Sequence, residues 1–167
     1  MIQTIDEKKV ILAGRAFFNC FKQLDRQERS QLLDFVAFDS VEKTAVFQKC
    51  YEQALLIDKN ADTAFYAKVI SIFVFAPRSG TFTDTENGKN FGHFLKESGV
   101  VQTILAESLF KANHFDKLID EVEVLLSRHK PHHQLDFGIL IKDLYLIYRN
   151  FEDNAILKKW AESYFSD

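Results

Sequence analysis

Residues 135–149 read Leu135-Asp136-Phe137-Gly138-Ile139-Leu140-Ile141-Lys142-Asp143-Leu144-Tyr145-Leu146-Ile147-Tyr148-Arg149. Phe137, Leu140, Ile141, Leu144, Ile147 and Tyr148 recur at spacings of three and four. That period puts them on one face of an α-helix; a half-buried strand would alternate instead.

The same period runs outward in both directions. Downstream, Ile156, Leu157, Trp160 and Tyr164 predict a last helix. Upstream, Leu118, Val122, Leu125 and Leu126 mark one helix, with Pro131 breaking the chain after it. Ile104, Leu105 and Leu109 mark another. A short helix is expected over Phe91–Glu97, ended by Ser98-Gly99 with Gly99 as a left-handed C-cap.

In the first half, Thr4 and Glu7 fit a capping box ahead of Val10, Ala13, Phe17, Phe21 and Leu24. Phe17, Phe18 and Phe21 read as core before they read as a stacking platform. Asp25 and Glu28 give a second capping signal, leading into Leu32, Leu33 and Val36. Asp39-Ser40 opens a third segment, with Val46, Phe47 and Cys50 on one face. Asp62 opens a fourth, through Phe65, Val69, Ile72 and Phe73 to Pro77. The expected fold is all-α, a bundle of about eight or nine helices packed by ridges into grooves.

Pro77–Asn90 interrupts this pattern with Ser, Thr, Asn, Asp and Gly. A loop of that length is usually functional or disordered. It divides the chain into a helical lobe at 1–77, a loop at 78–90 and a helical lobe at 91–167.

Composition agrees with a helical core. The 167 residues are 47% hydrophobic, with 17 Phe but only 6 Gly and 2 Pro, too few turn residues for a sandwich or barrel. Net charge is −3. Residues 1–77 carry ten basic and ten acidic side chains, and 78–167 carry eleven and fourteen. Bulk charge therefore does not point to nucleic acid, and a basic site would depend on local placement. Cys20 and Cys50 lie within apolar helical patterns, as free buried thiols of a reducing compartment do. The first ten residues lack the apolar region of a signal peptide, and Val69–Ala76 is too short to span a membrane. A cytoplasmic location is expected.

Chemistry-bearing motifs are sparse. His129, His132, His133 and Asp136 contain ligand types, but their spacing suits zinc poorly and Pro131 falls among them. A metal-dependent hydrolase is the weakest reading, and no metal or other cofactor is expected. No nucleophile elbow or phosphate-cradling glycine loop is present, and the carboxylates read as solvated faces and caps, so catalysis is not expected. What remains is a set of cations: Arg78, Lys89, Lys96, Lys111, Lys142, Arg149, Lys158 and Lys159. Several cations along one groove suffice to track a phosphate backbone.

The second half also presents features in a recognisable order. Gly88-Lys89-Asn90-Phe91-Gly92-His93-Phe94-Leu95 is followed by Ser98-Gly99 and then Leu109-Phe110-Lys111-Ala112. Leu125-Leu126, Leu135-Asp136-Phe137 and Lys142 come next, and Trp160-Ala161-Glu162-Ser163-Tyr164-Phe165 closes the series. This order, over about residues 88–165, resembles the small subunit of the type I-E CRISPR surveillance complex Cascade, the CasB family. Phe18–Phe35 fits the family more loosely.

The resemblance implies a two-lobed, all-helical, non-enzymatic protein. Its partners would be other Cascade subunits, a second copy of itself, and the DNA of an R-loop opened by guide RNA. It would contact target and displaced strands and so stabilise the R-loop in antiviral defence. Backbone contacts of this kind can tip a strand exchange that is otherwise near balance. Lys111, Lys142 and Arg149 fall at basic positions of the family, and Lys89 falls in its basic loop. Leu33-Asp34, Thr103-Ile104-Leu105 and Glu123-Val124 stand where the family carries further cations, and Phe137 where it carries tryptophan. The alternative is a helical protein-interaction or regulatory module without direct nucleic-acid binding.

Overall fold

The computed structural model describes residues 4–36, 44–75, 86–128 and 135–166. Among them are nine α-helices, joined late in the chain by one 3-10 turn, and no strand. The helices are α1 (Glu7–Lys22), α2 (Arg26–Val36), α3 (Ala45–Ile57), α4 (Thr63–Phe75) and α5 (Phe91–Glu97), then α6 (Gln102–Glu107), α7 (Phe115–Arg128), α8 (Phe137–Arg149) and α9 (Ala155–Phe165). The 3-10 turn, Leu109–Lys111, lies between α6 and α7.

Capping chemistry sets most of the boundaries. Asp25 and Glu28 cap α2 reciprocally: the Glu28 amide donates to Asp25 at 2.8 Å and the Asp25 amide to Glu28 at 3.1 Å. Asp62 accepts from the Phe65 amide at the start of α4. Gly99, at φ +73°, ends α5 in a Schellman motif. There the Val100 amide donates to Leu95 and the Gly99 amide to Lys96, each at 3.1 Å.

One expected start is corrected. The first helix is capped by Asp6, whose carboxylate accepts from the Lys9 amide, and not by Thr4 with Glu7. An aspartate one residue before the helix reaches that amide directly, which leaves Thr4 outside the turn. Helix α3 begins after Thr44, whose hydroxyl accepts from the Phe47 amide. Asp39, Ser40, Pro77 and Pro131 lie outside the described residues.

Helix α1 is the centre of the bundle. It packs on α3 along one flank and on α8 along the other. Consecutive phenylalanines divide the work. Phe17 meets Phe47 edge-on at 5.9 Å and Tyr66 at 4.8 Å, whereas Phe18 stacks on Phe137 at 4.1 Å. Glycines let α1 and α8 approach closely. A Cβ on Gly14 would come within 2.8 Å of Ile141, and one on Gly138 within 2.8 Å of the Arg15 guanidinium.

The remaining helices extend from this axis. Helix α4 packs on α7 and α9 packs on α5 and α8. Rings of Phe65, Phe115 and Tyr148 gather α4, α7 and α8. One hydrophobic cluster thus runs through helices from both 1–77 and 91–167. The periodic residues that define the helices are mostly inside it. An exception is Ile104, which is 40% exposed although Leu105 and Leu109 beyond it are buried. Cys20 is only half-buried, against the expectation of two buried thiols.

Candidate nucleic-acid interface

The predicted cations fall into three structural situations. The first comprises side chains already engaged. Lys142 lies on α8, where its ammonium reaches Asp143 at 2.8 Å and Glu7 at 3.8 Å. Its side chain is 18% exposed. The same Asp143 carboxylate accepts the Trp160 indole N–H at 2.9 Å. Lys142 is therefore engaged with a buried Asp143–Trp160 link between α8 and α9 and, at the surface, with Glu7 of α1. Lys89 precedes α5 and pairs with Glu97 at 2.9 Å.

Arg149 ends α8, where a cation complements the helix dipole. It donates to the Tyr145 hydroxyl at 3.3 Å and lies over the same ring. It also lines a cleft of about 250 Å³ with Lys9, Asp6, Asp58 and Tyr145. Lys9 was not anticipated there. It comes from the opposite end of the chain, and no local spacing announces such a meeting.

The second situation comprises Lys96, Lys111, Lys158 and Lys159, which are exposed and have no ion partner among the described residues. Lys96 sits in the last turn of α5 and Lys111 closes the 3-10 turn. Lys158 and Lys159 are consecutive on α9. Because α5 packs directly on α9, Lys96, Lys158 and Lys159 share one helix pair, with Lys89 just ahead of α5. Arg149 belongs instead to the corner where α1, the α3–α4 connection and α8 meet.

Arg78 is the third situation. It lies outside the described residues, as do His129, His132 and His133. Among the described residues no group of three or more His, Cys, Asp or Glu could hold a metal ion.

The α5–α9 pair is built for rigidity. A Cβ on Gly92 would fall 2.0 Å from the Trp160 carbonyl oxygen, so the two backbones touch there. Asn90 caps α5 through its Oδ1, which accepts from the His93 amide. The same side chain donates from Nδ2 to the Ser163 hydroxyl at 2.8 Å. The Tyr164 hydroxyl donates to the Val100 carbonyl, closing the far end. The lysines on this pair are thus presented from a fixed frame.

Asp136 has a role not anticipated from sequence. Its side chain is 1% exposed and binds the Arg15 guanidinium at 2.7 Å. It also accepts from the Gly88 amide at 3.0 Å and caps α8 by accepting from the Ile139 amide at 3.1 Å. This carboxylate ties α1, the segment before α5, and α8 together. The Asp before an apolar run signals a cap, but its partners Arg15 and Gly88 are too distant in sequence to be read.

No family model, curated protein or solved structure matches the chain. No helix among the described residues is long and apolar enough to cross a membrane.

Proposed function

We propose that this chain is a non-catalytic small subunit of a type I-E RNA-guided surveillance complex, gripping the DNA backbone of the R-loop. Its partners are the other subunits of that complex and a second copy of itself. The observation that carries the reading is that four of the expected cations, Lys96, Lys111, Lys158 and Lys159, are exposed with no ion partner among the described residues, in a chain whose net charge is −3. A lysine left without a carboxylate in an acidic protein is available to an external anion. Three of the four stand on the rigid α5–α9 pair, and phosphate contact needs position and charge but no base reading. The ordered motifs of residues 88–165 supply the particular complex. Residues engaged within the fold are placed second: Lys142 supports the seam around Asp143, and Lys89 is partly neutralised by Glu97.

The exposed apolar residues Val101 and Phe165, at 54% and 56%, favour a protein partner beside this surface. That is compatible with a subunit and equally with a pure interaction module.

The test separates the two. The tagged chain is purified from its native host, and proteins and RNA are identified. Large subunits with short guide RNA are expected. Lys111→Glu with Lys158→Glu and Lys159→Glu should then leave complex assembly and Tm unchanged while weakening target-DNA binding. The slope of log affinity against log salt should fall by about one unit for each phosphate no longer neutralised. Unrelated proteins without guide RNA, or an unchanged salt slope, would overturn the reading.

A further inference from the structure

The corner where the start of α1, the α3–α4 connection and the end of α8 meet holds two adjoining cavities. The outer one is the cleft of about 250 Å³ lined by Arg149, Lys9, Asp6, Asp58 and Tyr145. The inner one is about 10 Å³ and is lined by Asp62, Phe65 and Tyr66. Val10, Asp58, Asn60 and Tyr145 line both, so the inner space is a side pocket of the outer.

Two features make this corner more than surface relief. The first is charge held apart. Lys9 and Arg149 share the cleft with Asp6 and Asp58, yet none of the four has an ion partner among the described residues. The Asp6 carboxylate is held by the Lys9 amide at 3.3 Å, and that of Asp58 by the Asn60 amide at 3.0 Å. Arg149 lies over the Tyr145 ring and donates to its hydroxyl, which positions the guanidinium and leaves most of its five donors unused. The second feature is Tyr66. It is 3% exposed, lines the inner pocket, and its hydroxyl makes no hydrogen bond among the described residues. Buried hydroxyls are ordinarily hydrogen-bonded.

We propose that this corner binds a free α-amino acid with an apolar side chain, held as its zwitterion. The ligand carboxylate lies against Arg149 and Lys9. Its ammonium lies against Asp58 at the mouth of the inner pocket, where the Tyr66 hydroxyl accepts one N–H. That pocket admits one group of about the size of a water or an ammonium. The ligand side chain rests on Ile5, Val10 and the Tyr145 ring, the apolar part of the cleft. A simple anion would satisfy the cations and face two carboxylates, and a simple cation would do the reverse. A ligand carrying both charges gains at both ends. The cleft is slightly smaller than the roughly 300 Å³ at which pockets for drug-sized ligands begin, which suits a molecule of this size. The site uses none of the lysines on α5 and α9, so it stands apart from the proposed grip on DNA.

The experiment titrates leucine into isotopically labelled full-length protein and follows the backbone amide signals by NMR. Isocaproate, which lacks the ammonium, and isoamylamine, which lacks the carboxylate, are titrated in parallel. Leucine should give saturable shifts at Lys9, Asn60 and Arg149, with a Kd of about 1 mM or tighter. Each single-charge probe should bind at least about tenfold more weakly. Arg149→Gln and Asp58→Asn should each weaken leucine binding about tenfold while the rest of the spectrum keeps its folded pattern. Tyr66→Phe should weaken it a fewfold. No saturable shift at this corner up to about 10 mM leucine, equal binding of leucine and either single-charge probe, or undiminished binding by Arg149→Gln and Asp58→Asn would overturn the proposal.

Discussion

The Arg15 guanidinium and the Asp136 carboxylate meet at 2.7 Å across the junction of α1 and α8, with side chains 13% and 1% exposed. Asp136 also holds the Gly88 and Ile139 amides, so one carboxylate satisfies donors from three parts of the chain. Buried pairs of this kind add little over an apolar replacement, but removing one partner is costly.

Asp136→Ala is expected to destabilise the protein by about 3 kcal/mol, because a largely buried guanidinium and two amides lose their acceptor. Asp136→Asn should cost less, since its amide oxygen still caps α8. Urea denaturation of the two variants checks the order; equal losses would show that the lost charge, and not the lost cap oxygen, sets the cost at this site.

Gly92→Ala should be the most damaging glycine-to-alanine change among the described residues. The added carbon would fall 2.0 Å from the Trp160 carbonyl oxygen, and a backbone atom cannot swing aside. A cost of about 3 kcal/mol is expected, against which alanine's better helix propensity returns less than about 1 kcal/mol. Gly14→Ala meets the Ile141 side chain at 2.8 Å and should cost less, because Ile141 has some freedom to shift. Thermal melts of the two variants test the ranking.

Trp160 is fully buried, and its indole donates to Asp143. Trp160→Ala should cost about 3–5 kcal/mol. Trp160→Phe should cost about 1–3 kcal/mol, because the ring is largely replaced while Asp143 loses one donor and keeps Lys142. Trp160 is the single tryptophan, so its emission in the wild type should red-shift in one step with unfolding. Emission already at the solvent-exposed position in native buffer would contradict its burial.

Glu97→Gln releases Lys89 from its ion pair. If α5 and α9 face phosphate, DNA affinity of the assembled complex should rise a fewfold at low salt, while stability changes by about 0.5 kcal/mol or less. Binding curves of wild type and variant across a salt series provide the check; identical curves would remove Lys89 from the interface.

Alkaline stability should depend on Tyr66. Burial, helped by Asp58, holds its phenol proton well above the ordinary 10.0. Past that value the unfolded chain releases this proton and the folded chain keeps it. The unfolded state then binds fewer protons, and stability falls as pH rises. Tm of wild type should drop faster than that of Tyr66→Phe between about pH 9 and 11. Parallel profiles would assign the alkaline loss to other groups.

The helices were legible in the sequence because their signals are local. A three-to-four apolar period and a capping residue sit within one or two turns, and the α5 limits and the Asp25–Glu28 box follow from them directly. The partners were not legible. Lys142 reads as one more surface cation and Arg15 carries no signal at all, because only the tertiary fold brings Asp143 and Asp136 to them. Ile104 shows the converse, because periodicity marks a helix without saying which of its apolar residues finds a neighbour. For the interface, sequence could propose cations but could not separate Lys142 and Lys89, already engaged, from Lys96, Lys111, Lys158 and Lys159.

The shared hydrophobic cluster has a consequence for how the chain can be divided. Helix α1 takes one flank from α3 and the other from α8, so neither 1–77 nor 91–167 encloses its own apolar surface. Each fragment made alone should be sticky and poorly folded. Made together in one cell, they should find each other and rebuild the bundle without a peptide link.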